Sequence, residues 1–138
     1  MSIKKASIRF VRRLQGEWTL FWLERSGLTL VGRVAARIAC FGTLPFHHRS
    51  HFAKHSARGF IAPTALISNP LTSLGKHVYL GDRILISRNT AGGAVRIADR
   101  VHLYGDSCLE TGLGGNIRIG QGTHIQPGCR IYAFITDI

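Results

Sequence analysis

Two histidines of this chain, His102 and His124, stand in the same local pattern, each directly before an aliphatic residue. An imidazole titrates near neutral pH, so it can take a proton from a hydroxyl group as a general base. Asp106 and Glu110 could orient such a base, although acids of this kind are often simply solvated. The alternative gives both rings no chemical role and places them at the solvent or a subunit interface. If the chain is catalytic by itself, the predicted base is His124, followed by His102.

The elements that would position these histidines are short strands repeated every six residues from about residue 61 onward. In each repeat an aliphatic residue is followed, four positions later, by a small or apolar residue. This period predicts a β-solenoid whose aliphatic residues fill a triangular prism in stacked layers. In that register His102 and His124 point outward on the same side, one coil apart. The pairs are Ile61/Ala65, Ile67/Leu71, Leu74/Val78, Leu80/Ile84, Ile86/Thr90, Ala91/Val95, Ile97/Val101, Leu103/Ser107, Ile119/Thr123, Ile125/Cys129 and Ile131/Ile135.

The repeats group into coils of three strands, and we predict about four coils. After a first coil at residues 61–79, three similar stretches around Leu80, Ile97 and Ile119 indicate that each begins a new coil. Leu109–Asn116 breaks the period and is predicted to protrude as a loop, either a tolerated surface insertion or the wall of an active site. Small residues are predicted where the chain turns sharply and a large side chain would crowd. These are Gly81, Ala98 and Gly120.

Two groups of histidines could in principle bind a metal ion. Residues 47–55 (HHRSHFAKH) hold histidines at helical spacing, but the interleaved cationic residues would repel a metal, which favours a cationic connector. A zinc site of His77, His102 and His124 would need ligands that converge within about 2 Å of the ion. His77 lies three residues before Leu80, at a different corner position, so we predict no metal site.

Residues 1–59 differ from the repeats in both pattern and charge. Apolar residues recur at steps of three and four over residues 3–41, which predicts two short α-helices interrupted at Ser26-Gly27, followed by a polar, histidine-rich connector. Lys and Arg exceed Asp and Glu by nine over residues 1–58, within a formal charge of +11 for the whole chain. A basic segment is attracted to the phosphates of nucleic acids, lipids or nucleotides.

Residues 1–59 are called the leader below, and their aromatic residues favour a lipid surface as the partner of the basic charge. Trp18 and Trp22 alternate with arginines within residues 8–25, a pattern typical of a helix on a membrane surface. The alternative is that the helices cover the open end of the prism. No apolar run approaches the roughly 20 residues that span a bilayer, and no convincing signal peptide is present. With three cysteines read as reduced thiols, we predict a cytoplasmic protein, with peripheral contact at the inner membrane face left open and no nucleic-acid partner.

Residues 60–138 resemble the left-handed β-helix acyltransferases of the hexapeptide-repeat superfamily, in particular sugar O-acetyltransferases of polysaccharide biosynthesis. The resemblance implies a mainly β fold, a left-handed parallel β-helix behind the helical leader of residues 1–59. It also implies a homotrimer, acetyl-CoA as the acyl donor in a groove between two prisms, and a histidine base that activates a saccharide or lipid-linked saccharide hydroxyl. The stretches that carry it best are Leu80-Gly81-Asp82, Ile97-Ala98-Asp99 and Ile119-Gly120-Gln121.

One departure from that family affects the site. In the family the catalytic histidine usually follows further repeats, in a short Asp/Asn-x-His stretch, whereas this chain stops at Ile138 within a repeat and without a polar cap. We therefore expect the N-terminal part of a longer enzyme whose base lies beyond residue 138, unless His124 or His102 serves. The alternative function is a non-catalytic trimeric scaffold or truncated remnant, with a zinc carbonic anhydrase-like protein as a further alternative.

Overall fold

The computed structural model describes residues 3–26, 29–41 and 49–135, and its main unit is a parallel β-solenoid of about three turns. The described strands are β1 Phe60–Ile61, β2 Leu66–Ile67, β3 Thr72–Leu74, β4 Tyr79–Leu80, β5 Leu85–Arg88, β6 Val95–Ile97, β7 His102–Leu103, β8 Cys108–Gly112, β9 Ile117–Ile119, β10 His124–Ile125 and β11 Arg130–Phe134. They form three parallel sheets: face 1 (β1-β4-β7-β10), face 2 (β2-β5-β8-β11) and face 3 (β3-β6-β9). The predicted parallel solenoid is confirmed.

The predicted coil starts are wrong. Leu80 pairs with Ile61 and Leu103 on face 1, whereas Ile97 pairs with Ile119 on face 3, so one full turn runs from Leu80 to Leu103. The described chain accordingly makes about three turns rather than four. The error has a physical cause, since every face demands the same inward aliphatic pattern. Similar hexads therefore do not reveal which face they occupy.

The predicted loop at Leu109–Asn116 is also wrong over its first half. Leu109–Gly112 belongs to β8, which pairs with β5 on one side and β11 on the other. The extra residues lie only in the turn that follows, where Gly114 N donates to Ala91 O at 2.7 Å and Gly93 N donates to Gly115 O at 3.0 Å. Two successive turns therefore widen together at the same corner between faces 2 and 3.

The interior of the solenoid holds most of the inward residues that the repeat predicts. Four predicted inward residues are instead exposed: Leu71, Thr90, Ala91 and Ile135. Removing one buried Leu or Ile side chain from water contributes about 1.5–3 kcal/mol, so the stacked layers are the main source of stability. This burial fixes the alternation on each strand, and so it points the residue before each inward aliphatic toward the outside. The buried members of this cluster are Ala65, Val78, Leu80, Ile84, Ile86, Val95, Ile97, Val101, Leu103, Leu109, Ile117, Ile119 and Ile125.

Two corners beside face 1 turn through left-handed backbone. At the corner between faces 3 and 1, which we call the pocket corner, the stacked residues are His77 (φ 57°), Arg100 (φ 58°) and Gly122 (φ 71°). At the corner between faces 1 and 2, called the ion-pair corner, they are Arg83 (φ 54°), Asp106 (φ 62°) and Gly128 (φ 75°). Non-glycine residues adopt this conformation at some cost, so the surrounding hydrogen bonds must hold it.

The small residues predicted at sharp turns are not these left-handed positions. A Cβ on Gly81 would lie 2.9 Å from the backbone nitrogen of Gly105, so a close approach does require glycine there. At Gly120 the nearest atom to such a Cβ is Thr123 Oγ1, at 3.9 Å, and a side chain would fit. The requirement for a small residue therefore holds at one coil and not at another.

The part of the chain described before the solenoid forms three helices: α1 Ile3–Leu23, α2 Leu30–Ala39 and α3 Arg49–His55. The hydroxyl of Thr29 accepts a hydrogen bond from Gly32 N at 3.1 Å and caps the start of α2. The sequence predicted two helices and a connector, and the third helix lies within that connector. Its existence depends on packing, because an isolated helix of seven residues is not stable in water.

The leader packs on the outer side of face 1. Leu23, Ala39 and Ala53 from the three helices form a buried cluster with the outward residues Phe60 and Tyr79. The interior cluster of the solenoid contains no helical residue among those described, so the helices cover a side of the prism and not its first layer. None of the described helices is both long enough and apolar enough to cross a bilayer.

Candidate functional site

His102 and His124 are direct neighbours on the outer surface of face 1. Strands β7 and β10 pair in parallel with these two residues in register. Their rings stack with centroids 4.5 Å apart and planes inclined by 23°. The prediction that both point outward on one side, a coil apart, is confirmed.

The two histidines continue a ladder of aromatic rings along face 1. Phe60, Tyr79, His102 and His124 occupy equivalent positions on the four strands. The Tyr79 ring lies 5.7 Å from those of both Phe60 and His102. The helices bury the Phe60 end of the ladder, whereas His124 at the other end is exposed. His102 therefore lies at the boundary, 6% exposed.

A cavity of about 410 Å³ opens beside this boundary. Face 1 supplies His102 and His124, and the pocket corner supplies the rest of the solenoid wall. The backbone stacks tightly there, since Arg100 N donates to Lys76 O at 2.8 Å and Gly122 N donates to Asp99 O at 3.0 Å. The lining residues are Lys54, His77, Arg100, His102, Gly122 and His124.

Helix α3 completes the cavity. It contributes Lys54 to the wall, and the carbonyl of Ala53 accepts a hydrogen bond from Nδ1 of His77 at 3.0 Å. His77 does occupy a corner, as predicted, yet it lines the same cavity as the histidine pair. Its spacing was a usable signal, because His77, Arg100 and Gly122 each stand three residues before an inward aliphatic residue of face 1.

The electrostatics of the cavity act on His102. Its burial lowers the pKa of the imidazole, and the positive charges of His124 and Lys54 lower it further. The lowered pKa favours the neutral form of His102 at pH 7. Its Nδ1 is buried and has no hydrogen-bond partner within the described part of the chain.

The two acids that could orient a base, Asp106 and Glu110, do not line this cavity. Asp106 lies at the ion-pair corner, where Arg83 donates to it from Nε at 2.6 Å and from Nη2 at 2.8 Å. These bonds to the Arg83 guanidinium hold the pKa of Asp106 below its usual value. Glu110 lies on face 2, between Ser87 and Tyr132. Neither acid lines the cavity, and Asp106 is exposed, as the alternative of a solvated acid predicts.

Of the remaining histidines, the described His51 does not line the cavity. His51 is exposed on α3, and His47 and His48 lie outside the described residues. Within residues 3–26, 29–41 and 49–135, no three His, Cys, Asp or Glu side chains are grouped so that they could hold a metal ion. The end of the chain at Ile138, on which the expectation of a longer enzyme depends, also lies outside the described residues.

No protein-family model, curated protein or solved structure matches this chain. The fold is therefore defined by its own strand pairing, and the cavity beside face 1 is the feature whose chemistry bears on function.

Proposed function

We propose that this chain is an acyl-CoA-dependent O-acyltransferase of the left-handed β-helix type, which transfers acetyl from acetyl-CoA to a sugar hydroxyl in polysaccharide biosynthesis. One observation carries the proposal: two stacked imidazoles, one neutral and buried and the other exposed, line a cavity that can hold a small substrate. His124 is the proposed base because its ring is exposed to an incoming acceptor, and His102 is the second candidate.

The neutral state of His102 supports this assignment. A proton accepted by His124 meets an uncharged neighbour, whereas a second imidazolium 4.5 Å away would oppose the transfer. In the proposed step His124 takes the proton of the acceptor hydroxyl while its oxygen bonds to the thioester carbonyl carbon. The tetrahedral intermediate then collapses, the carbon–sulfur bond breaks, and the imidazolium returns its proton to the CoA sulfur.

The activity is tested with purified protein, radiolabelled acetyl-CoA and a panel of saccharide acceptors. We expect label to appear in a saccharide ester, and no ester above background together with no calorimetric binding of CoA would refute the proposal. That negative result would favour a non-catalytic scaffold. One observation favours this second candidate, since no carboxylate lines the described cavity to orient a base.

A homotrimer through the sides of the prism is part of the proposal. Face 2 exposes three large apolar side chains: Leu66, Tyr132 and Phe134. Such side chains on an outer sheet face gain free energy when a second copy covers them. Sedimentation should give three times the chain mass of 15.2 kDa, and a monomer would contradict this part of the proposal.

We also propose that the leader binds the surface of an anionic membrane, at its inner face for a cytoplasmic protein, beside a lipid-linked acceptor. The apolar surface extends beyond the predicted segment onto α2, where Leu30 and Val31 are 82% and 78% exposed. Trp18 and Phe21 of α1 are also exposed, and the guanidinium of Arg25 lies 3.7 Å from the centre of the Phe21 ring. Apolar and cationic groups side by side match the boundary between acyl chains and phosphates.

Flotation with anionic liposomes at low salt tests the membrane contact. Replacing Leu30 and Val31 together with serine should reduce the floated fraction, because their side chains would no longer enter the acyl layer. Leu113→Ser is the matched control, since Leu113 is an exposed leucine of the solenoid. Equal flotation of all three proteins, or none of the wild type, would contradict the proposal.

A further inference from the structure

The cavity beside face 1 carries an excess of positive charge that a general base does not explain. Five of its six lining residues are cationic or can become so, and none of the described lining residues is acidic. They come from three directions: Lys54 from α3, His77 and Arg100 from the pocket corner, and His102 and His124 from face 1. These donors therefore surround a volume instead of lying along a line.

The two permanent cations of this cavity have no counter-ion within the described structure. Neither Lys54 nor Arg100 takes part in any ion pair there, whereas Arg49 and Arg83 pair with Asp82 and Asp106. The acid nearest along the chain, Asp99, uses Oδ1 to accept a hydrogen bond from the backbone nitrogen of Lys76 at 2.7 Å. Like charges gathered without a counter-ion repel one another, and an anion in the cavity would remove that repulsion.

His102 gives a second, independent indication of a ligand. Its side chain is more than nine-tenths buried, it lines the cavity, and its Nδ1 lacks a hydrogen-bond partner in the described chain. A buried ring nitrogen without a partner costs free energy, and such groups are normally satisfied by protein, water or a ligand. A ligand in the cavity would lie against the ring that carries this unsatisfied atom.

We propose that this cavity binds a phosphate group, with Lys54 and Arg100 as its permanent cations and the imidazoles of His77, His102 and His124 as further donors. A phosphate monoester fits better than a carboxylate, because its three terminal oxygens can meet donors from three directions. The neighbouring Tyr79 does not compete as an anion, since burial raises the pKa of its hydroxyl to about 12. The phosphate can belong to a sugar phosphate acceptor or to CoA, and the former assignment rests on the proposed acyl transfer.

The binding test uses inorganic phosphate and ring-nitrogen NMR of ¹⁵N-histidine-labelled protein. Wild-type protein should show saturable shifts of the His102 and His124 signals. Arg100→Asn and Lys54→Gln should each weaken binding by about tenfold, the effect of losing one charge-assisted hydrogen bond. Asparagine is chosen at position 100 because it tolerates left-handed backbone.

Arg83→Asn is the matched control, since it removes the same charge at a left-handed residue of the other corner. It should leave phosphate affinity unchanged. Absence of saturable binding to the wild type, or equal affinity of the Arg83→Asn, Arg100→Asn and Lys54→Gln proteins, would overturn the proposal. Circular dichroism confirms that each variant is folded, so that a lost shift reports on the site.

Two further ligands distinguish the sources of the phosphate. A hexose 1-phosphate that competes with inorganic phosphate, while CoA does not, assigns the site to the acceptor, and the opposite result assigns it to the donor. Competition by neither would overturn the proposed monoester. Phosphate binding without acetyl transfer would sustain this site and refute the enzyme, whereas transfer that is insensitive to Arg100→Asn would refute the site and sustain the enzyme.

Discussion

The pocket corner and the ion-pair corner have the same backbone conformation and differ in whether their charged side chains have a counter-ion. Each stacks two non-glycine residues and a glycine in left-handed conformation on successive turns. At the ion-pair corner Arg83 and Asp106 form an exposed bidentate pair. At the pocket corner His77 and Arg100 face a cavity that α3 helps to enclose, and no acid accompanies them in the described lining.

This difference shows that corners with the same backbone can carry either side chains that pair with each other or side chains that line a cavity. An exposed pair such as Arg83–Asp106 contributes little to stability, because water screens both charges. At the pocket corner the cations Lys54 and Arg100 are also exposed, but they lie beside the buried imidazole of His102 and line a cavity in which a ligand could meet them. Helix α3 contributes to the difference, since it brings Lys54 to the cavity at the pocket corner, whereas beside the ion-pair corner its Arg49 pairs with Asp82.

The largest expected effect is on the rate of acetyl transfer, compared between a variant of the histidine pair and a variant of the ion-pair corner. If His124 is the base, His124→Ala should lower the rate of acetyl transfer by about 10²–10⁴-fold, the contribution of a general base. Asp106→Asn should leave the rate within about twofold, because Asp106 lies outside the cavity. Both rates are measured at saturating acetyl-CoA. An unchanged rate for His124→Ala would move the base assignment to His102 or remove it from this pair.

A smaller effect is expected on the free energy of unfolding when the buried His102 is replaced. His102→Phe should raise the free energy of unfolding by about 1 kcal/mol, because it removes a buried nitrogen without a partner and extends the ladder from Phe60 and Tyr79. Chemical denaturation at pH 7.5 measures the change. His124→Phe is the control, since its ring is exposed and no such gain is expected. A loss of stability in His102→Phe would show that the imidazole contributes favourably.

The smallest expected effect is on how the free energy of unfolding changes with pH in the wild type and in His102→Phe. The folded state lowers the pKa of His102, so the unfolded chain binds more protons below the ordinary histidine pKa of about 6.5. His102 therefore destabilises the fold as the pH falls from 7 to 5.5, and His102→Phe should show a shallower decline. Inorganic phosphate should flatten the wild-type decline as well, because it favours the charged ring among Lys54, His77, Arg100 and His124. Identical slopes for both proteins would contradict this account.

The sequence predicted the elements that depend on local pattern. Alternation around Leu103 and Ile125 was enough to place His102 and His124 together, because an inward aliphatic residue forces its predecessor outward. It did not predict the coil starts, since the hexads at Leu80 and Ile97 look alike although they lie on different faces.

The other charged residues of the cavity could not be predicted from the local sequence pattern. Lys54 reaches it through α3, a helix too short to be predicted from its own pattern and stabilised by packing against face 1. His77 and Arg100 occupy corner positions whose direction depends on left-handed backbone, which the residue types disfavour. The spacing to the next inward aliphatic residue was the only local signal for either.

By itself, the amino-acid sequence determined the solenoid, the inward and outward alternation, and the neighbourhood of His102 and His124, because a short repeat imposes the same burial on every turn. Only the tertiary structure decided that His102 is buried and neutral, that His77, Arg100 and Lys54 share its cavity, and that Asp106 is held elsewhere by Arg83. The reason is that these properties depend on which face each hexad occupies and on where the helices pack. Both follow from contacts between residues that are distant in the chain.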